Sequence, residues 1–494
     1  MNGALAFLLP PAVAMAGLRL DRIVLGAEAE RRLPSGLRLA LGLAVGMLVF
    51  SQALLLAAIA GVNASRWLAW GALLWGGVEI ALRAPGWTRQ LRLPKRHLSQ
   101  LWWLLLWPAL YAAWVFARLS TQEGTLEFDG HAFWVFKAKM LYLAQGAALA
   151  DLLRQSSLAY AHLDYPMLVP GLYTLTYGLV GGVDEFVCKV WPFWMMVALC
   201  LGVLSLGNVW TRPRPLPILT VLVLCFAPAS LQFIRSEDGT MPMVFFVSVA
   251  TLLLQRAMSA ADGTALAAAV LALAGCAMTK LEGALYAALW LCVLVALAWR
   301  RGWLRPWPRR WWLRRHLLLS AASVLPYIAY RLLRPMPHPE SGWLQAGLAA
   351  PGDTLRRFPQ VWFLNVAGRF FRPDFFHWQS ADGDHLAWAG QWSGASSLVN
   401  DQLATLPWLL LILLGLALWR RRSRLAVECL ALVTLAELSL LSLVIACLPR
   451  MQRHLPRVIE FSAALQVGRY SYPFLLALFL SAAVAWFDAT DVVR

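Results

Sequence analysis

The feature that most constrains this chain is the recurrence of apolar stretches long enough to cross a lipid bilayer. A membrane-spanning helix needs about 20 consecutive apolar residues, and such stretches recur along the 494 residues. Only 14% of the residues are charged, against about 25% in an average soluble protein. The sequence therefore predicts an all-α polytopic membrane protein with about 13 transmembrane helices. The predicted spans are 3–18, 36–61, 66–82, 99–117, 188–207, 216–234, 239–256, 264–279, 283–299, 317–334, 404–419, 425–448 and 470–488.

The positions of the basic residues predict the orientation of these spans. A net charge of +17 would also suit a nucleic-acid-binding protein, but the lysines and arginines cluster in short loops at 83–96, 300–315 and 420–424. Cytoplasmic loops of membrane proteins carry this excess of basic residues. We therefore place these loops in the cytoplasm and expect no nucleic-acid partner. The N-terminus is then outside and the C-terminus inside.

The apolar segment 168–182 does not fit the pattern of regular spans. It is short and contains Pro170 and several glycines. If it crossed the bilayer, every later loop would change sides and the basic cluster at 300–315 would face outward. We predict that 168–182 is re-entrant or interfacial, since irregular backbone at membrane depth is tolerated where protein buries it. Both long loops, 118–187 and 335–403, then face the extracytoplasmic side.

The same orientation gathers ionisable residues on the extracytoplasmic side, next to the ends of spans. Such residues are costly near hydrocarbon and are usually paired or functional. Asp129 precedes a segment, 131–144, whose apolar residues recur at helical spacing, and we expect an amphipathic helix in the headgroup layer there. The other candidate residues lie before Pro166, in two tight turns, and before the last span. The candidate binding residues are Glu127, Lys137, Lys139, Asp164, Tyr165, Glu237, Asp238, Lys280, Glu282 and Arg469.

Each of these residues also has a structural interpretation. Asp129 is a favoured residue type for capping the helix that follows it. Lys137 and Lys139 are also the kind of residue that reaches out to lipid phosphates in general. Two turns offer ion pairs, Arg235 with Glu237 or Asp238 and Lys280 with Glu282. The sequence has no GxGxxG, Walker, HExxH or CxxC motif, which disfavours sites for nucleotides and zinc.

In combination, these motifs resemble those of the polytopic glycosyltransferases of the C superfamily (GT-C), which use polyprenyl-phosphate sugars as donors. Asp129 leads an aromatic, lysine-containing helix, and Tyr165-Pro166 enters the next apolar segment. A Ser-Glu-Asp-Gly turn at 236–239 and a Thr-Lys-Leu-Glu-Gly run at 279–283 follow. The resemblance covers about residues 99–300. It divides the chain into an N-terminal addition (1–98), a catalytic core (99–334), a loop or lid (335–403) and C-terminal helices (404–494).

The resemblance implies transfer of a sugar, with inversion, from a polyprenyl phosphate to an acceptor that is a glycolipid, a polysaccharide or a protein. It implies a bacterial inner membrane, with the site facing the periplasm. Asp129 would be the catalytic base, and Lys137, Lys139, Lys280 or Arg469 would lie near the phosphate. Asp164, Asp238 or Glu282 would bind the sugar or the acceptor. No cofactor or metal is required, although carboxylates at this density could bind a divalent cation.

Two other functions remain open at this point. An O-antigen ligase or polymerase would rely on Arg and His in a large outer loop, and Arg450, Arg453, His454 and Arg457 would serve. A transporter or flippase of lipid-linked saccharides would carry charges near the middle of the membrane. The interiors of the predicted spans are nearly free of charge, with Glu428 and Glu437 the main exceptions, so transport is the less favoured alternative.

Overall fold

The fold is known from a computed structural model, and all regular secondary structure in the residues that it describes is helical. It describes residues 2–25, 33–90, 130–155, 158, 163, 165–206, 217, 220–221, 239–260, 263–300, 311–333, 349–356 and 358–359. The α-helices are α1 (Asn2–Leu25), α2 (Ser35–Ile59), α3 (Ser65–Gln90), α4 (Phe136–Leu143), α5 (Ala147–Arg154), α6 (Leu168–Val180), α7 (Val190–Leu206), α8 (Thr240–Ala260), α9 (Gly263–Ala277), α10 (Leu281–Arg300) and α11 (Trp311–Leu333). A π-helix (Gly130–Val135) precedes α4, and a 3-10 helix (Phe186–Lys189) precedes α7.

Eight predicted spans coincide with helices of the structure, namely α1, α2, α3, α7, α8, α9, α10 and α11. Four helical stretches among the described residues are long and apolar enough to cross a membrane: Ala4–Ile23, Ser35–Ile59, Phe186–Leu206 and Thr240–Ala257. The chain is therefore a helical protein with transmembrane character. The count of about 13 transmembrane helices stays a prediction. Four predicted spans (99–117, 404–419, 425–448 and 470–488) lie outside the described residues, and 216–234 is described only at 217, 220 and 221.

Small residues allow the first helices to pack with their backbones close together. Gly42 and Gly46 form a small-xxx-small motif on α2, and Gly17 of α1 lies against them. A methyl group on Gly17 would overlap the carbonyl of Gly42. Gly76 of α3 lies against the backbone of Ala12 in the same way. Close approach through small residues is the usual basis of helix association in a bilayer, where the hydrophobic effect gives no driving force between helices.

The segment predicted to be re-entrant or interfacial forms the regular helix α6, which is enclosed by other helices. Residues 168–179 are all buried, whereas an interfacial helix exposes one face, so the interfacial alternative does not fit. Its 13 residues rise about 20 Å, less than the roughly 30 Å of a bilayer core. Ser51 of α2 donates a hydrogen bond to the carbonyl of Leu168 (2.7 Å), and Trp191 of α7 donates to Thr176 (2.9 Å). Gly181 ends the helix with a left-handed φ of 85°.

Candidate functional site

The segment 130–143 is helical, as predicted, but it does not lie on a surface. Lys137 is 0% exposed, Ala138 and Leu141 are buried, and in α4 only Leu143 is exposed. Thr174 of α6 donates a hydrogen bond to the carbonyl of Ala138 (3.0 Å). The predicted amphipathic pattern is therefore wrong for α4, because Lys137 is buried there and Leu143 is exposed. Its location in the headgroup layer stays a prediction.

The following helix, α5, has the amphipathic pattern instead. Leu149 and Leu153 are buried and one helical turn apart, while Ala147, Ala148 and Asp151 are exposed. One apolar stripe with polar or small residues opposite is the pattern of a helix that lies against a core or a membrane surface. The first long loop thus contains an amphipathic helix, but it is α5, which begins at Ala147, after the end of the predicted segment 131–144.

The indole of Trp134 is the centre of the candidate site. Trp134 is 2% exposed and lies in the last turn of the π-helix. The Nζ atom of Lys137 is 4.3 Å from the centroid of this indole and 5.2 Å from that of the Tyr165 ring. The two rings lie 6.0 Å apart, tilted by 54°. A cation held over aromatic faces is attracted by their quadrupoles, by about 2 kcal/mol where it is desolvated.

A second lysine reaches the same indole from a distant part of the chain. Lys280, which precedes α10, is 6% exposed, and its Nζ atom lies 5.8 Å from the centroid of the Trp134 ring. This ammonium donates a hydrogen bond to Oγ1 of Thr240, the first residue of α8 (2.7 Å). Gly239 packs so tightly against Trp134 that a Cβ there would lie 2.8 Å from Cζ2 of the indole. We call Trp134, Lys137, Tyr165, Thr240 and Lys280 the indole cluster.

Tyr165 is placed in the cluster by the short segment before α6. The hydroxyl of Tyr330 in α11 donates to the carbonyl of Leu163 (2.6 Å). Pro166 and Met167 are buried, and Pro166 restricts Tyr165 to extended geometry. The chain is therefore held by α11 at Leu163, two residues before Tyr165, and by buried residues directly after it.

The remaining described candidates lie outside the indole cluster. Lys139 is two residues from Lys137, about 200° around the helix, and it forms an ion pair with Glu185. The alternative interpretation of Lys280 and Glu282 as an ion pair is not met among the described residues: Lys280 donates to Thr240, and the buried Oε2 atom of Glu282 has no hydrogen-bond partner there. Of the sequence candidates, the structure thus brings together Lys137, Tyr165 and Lys280.

Sequence reasoning did not assign a role to Trp134, Gly239 or Thr240. A signal for Trp134 was present, because an aromatic residue three positions before a lysine shares a helix face with it. The contact of Trp134 with Lys280 had no such signal, since about 145 residues of chain separate the two.

Six predicted site residues lie outside the described residues: Glu127, Asp129, Asp164, Glu237, Asp238 and Arg469. Within the described part of the chain, no group of three or more His, Cys, Asp or Glu residues is placed to hold a metal ion. Comparisons of the chain with family models, with curated proteins and with solved structures found no match.

Proposed function

We propose that this chain is an integral membrane glycosyltransferase that moves a sugar from a polyprenyl-phosphate donor to an acceptor on the extracytoplasmic side. The observation that carries the proposal is the meeting of two buried lysines, Lys137 and Lys280, on the single indole of Trp134. The lysines come from two motifs that resemble GT-C elements. Two ammonium groups beside one ring create a region of positive potential that favours an anionic group.

The position of the cluster in the bundle supports a lipid phosphate as that anion. Thr240 begins α8, whose first 18 residues form a stretch able to cross a membrane. Lys280, which donates to Thr240, immediately precedes α10. If this stretch of α8 spans the bilayer, as we propose, the cluster lies at its end, where the headgroup region begins. A polyprenyl phosphate places its hydrocarbon chain in the bilayer and its phosphate at this boundary.

The proposed reaction is a single displacement at the anomeric carbon of the sugar. The acceptor oxygen forms a bond to this carbon as the bond from the carbon to the phosphate oxygen breaks, and the configuration inverts. The electron pair leaves with the lipid phosphate, and Lys137 and Lys280 stabilise the negative charge that develops there. The proton of the acceptor hydroxyl passes to a carboxylate base. No nucleotide, cofactor or metal is required, since a lipid phosphate is already a good leaving group.

The acidic candidates lie within five residues of members of the indole cluster in the chain. Asp129, the proposed base, directly precedes Gly130, where the π-helix that carries Trp134 begins. Asp164 directly precedes Tyr165, and Asp238 directly precedes Gly239. We assign Asp164 and Asp238 to the sugar or the acceptor, which would be a glycolipid, a polysaccharide or a protein. The proposed location is a bacterial inner membrane with the site facing the periplasm.

The experiment that tests this function uses the purified full-length protein in lipid nanodiscs. It is incubated with polyprenyl phosphates that carry mannose, glucose, N-acetylglucosamine or arabinose, together with an extract of membrane glycolipids as acceptor. We expect release of free polyprenyl phosphate with at least one donor. Asp129→Asn should slow the release by about 100-fold or more, because a positioned general base contributes about 10²–10⁴-fold. The matched control is Asp151→Asn, an exposed aspartate of α5, which should keep the wild-type rate.

Two outcomes would contradict the proposal. Failure to release polyprenyl phosphate from any donor would exclude this donor class. A release that Asp129→Asn leaves unchanged would remove the proposed base. Activity only on saccharides linked through a lipid diphosphate, unaffected by Asp129→Asn, would favour the O-antigen ligase or polymerase alternative and direct attention to Arg450 and Arg453.

A further inference from the structure

Helix α10 has two opposite faces that differ sharply in their surroundings. Leu291, Val295 and Trp299 are exposed, Trp299 at 77%. Tyr286 and Trp290 are 0% and 3% exposed. At about 100° per residue, Glu282, Tyr286 and Trp290 share an arc of about 80°, and the exposed face is centred about 180° away. The exposed face suits lipid, and the buried face points into the protein. We call Glu282, Tyr286 and Trp290 the α10 strip.

The α10 strip carries buried polar atoms that no described residue satisfies. The Oε2 atom of Glu282 and the Nε1 atom of Trp290 are buried, and neither has a hydrogen-bond partner among the described residues. Most buried polar groups in native proteins are hydrogen-bonded, and leaving one unsatisfied is costly. Glu282 alone could be explained by its position in the first turn of α10, where a carboxylate interacts favourably with the helix dipole. Trp290 lies two turns further along, where that explanation does not apply.

The chemistry of the strip indicates what would satisfy these atoms. A carboxylate only accepts hydrogen bonds, and an indole N–H only donates them. A ligand that contacts both must both donate and accept, as a hydroxyl group does. The rings of Tyr286 and Trp290 pack edge to face, with centroids 6.3 Å apart, and provide apolar surface between the polar atoms. A largely aromatic wall with a few fixed polar groups is the usual composition of a small-molecule site.

We propose that the α10 strip is the subsite for the sugar of the donor, an inference that rests on the function proposed above. In a sugar phosphate the ring is bonded directly to the phosphate, so its subsite must adjoin the cations. Lys280 of the indole cluster is two residues before Glu282 in the chain. The strip extends about 12 Å along α10 from that point, at about 1.5 Å per residue. Because Glu282 repels phosphate, the strip selects the hydroxyl-bearing part of the donor.

The test measures two affinities for each variant of the full-length protein in nanodiscs. One ligand is bare polyprenyl phosphate, and the other is the polyprenyl-phosphate sugar, from the panel above, that the wild type binds most tightly. The variants are Trp290→Phe, which removes the N–H and keeps an aromatic ring, and Glu282→Gln. The matched control is Trp299→Phe, the same change on the exposed face. Affinity for the bare lipid phosphate also reports whether each variant is folded.

We expect Trp290→Phe and Glu282→Gln to weaken binding of the sugar-bearing lipid by about tenfold to a hundredfold, as the loss of one or two buried hydrogen bonds predicts. Trp290→Phe should bind the bare lipid phosphate within about twofold of wild type on the same scale. Glu282→Gln should bind it as tightly as wild type or more tightly, because the change removes a carboxylate that repels phosphate. Trp299→Phe should change neither affinity. If both strip variants keep the wild-type preference for the sugar-bearing lipid, the inference is wrong and the proposed function stands. An equal loss for both ligands would also overturn it, by showing a general structural role. If the wild type binds neither ligand, the proposed function fails and this subsite fails with it.

Discussion

Gly239→Ala tests the geometry of the indole cluster with the smallest possible change. A Cβ at Gly239 would lie 2.8 Å and 2.9 Å from Cζ2 and Cη2 of Trp134, and 3.0 Å from Cε of Lys280. Trp134 is 2% exposed, so its ring has little room to move. Gly239 is not among the glycines with positive φ, and alanine therefore adds no backbone strain. Its effect should come from overlap with Trp134 and Lys280 alone.

The expected cost follows from that overlap. Adding a methyl group to a tightly packed interior typically lowers the free energy of unfolding by about 1–3 kcal/mol. A shift of the indole also moves the surface on which both lysines lie. We therefore expect Gly239→Ala to lower the thermal unfolding midpoint and to weaken binding of polyprenyl phosphate by about tenfold, which corresponds to about 1.4 kcal/mol.

The matched control is Gly77→Ala on α3. No atom lies within 4 Å of a Cβ built at Gly77, which is exposed within a helix. Alanine there should stabilise the helix by about 0.5–1 kcal/mol, because glycine is a poor helix former. Thermal unfolding in one detergent and binding in nanodiscs would be measured for both variants. A Gly239→Ala protein with wild-type stability and wild-type affinity would refute the packing of Gly239 against Trp134.

Two further predictions concern the two lysines of α4, which have different partners, and a hydrogen bond that links Ser205 to α2. Lys137→Gln should weaken binding of polyprenyl phosphate by about tenfold to a hundredfold, the value of a charged hydrogen bond. Lys139→Gln should change it less than about twofold, because Lys139 lies about 200° around the helix from Lys137 and pairs with Glu185, outside the indole cluster. Equal losses in a binding titration would contradict this division. Ser205→Ala should lower the free energy of unfolding by about 1 kcal/mol, because the Ser205 hydroxyl accepts the hydrogen bond of the Leu37 N–H in the first turn of α2 (3.0 Å); an unchanged unfolding midpoint would show that this bond contributes nothing.

The positions of the helices could be predicted from the sequence because the signal is local. A run of apolar residues specifies a buried or membrane-spanning helix wherever it occurs, and α1, α2, α7 and α8 form where such runs predict them. The surroundings of α4 could not be predicted in this way. A lysine among apolar residues produces the same sequence pattern whether the helix lies on a surface or is buried. Lys137 is buried because Trp134 and Tyr165 lie against it in the assembled bundle. These are tertiary contacts, which the local sequence pattern does not predict.

The candidate site was partly predictable for a related reason. The orientation inferred from the basic loops placed Lys137, Tyr165 and Lys280 on one side of the membrane, and the structure brings these three residues to one indole. Counting charges in loops predicts on which side of the membrane a residue lies, but not which residue it contacts. It therefore did not distinguish Lys137 from Lys139. Their helical positions differ by about 200°, which directs one to Trp134 and the other to Glu185.

The opposite charges of Lys280 and Glu282 give the proposed donor a direction in the site. Opposite unit charges 4 Å apart interact by about 4 kcal/mol where the effective dielectric constant is near 20, so two such groups this close in sequence would be expected to pair. They do not pair among the described residues: Lys280 donates to Thr240, and the buried Oε2 atom of Glu282 has no hydrogen-bond partner there. Lys280 and Glu282 would therefore contact different groups of a bound ligand. A phosphate bound beside Lys280 would be repelled by Glu282, and a hydroxyl group would not. A sugar phosphate can therefore satisfy both residues in only one orientation, with the phosphate at the indole cluster and the sugar along the α10 strip.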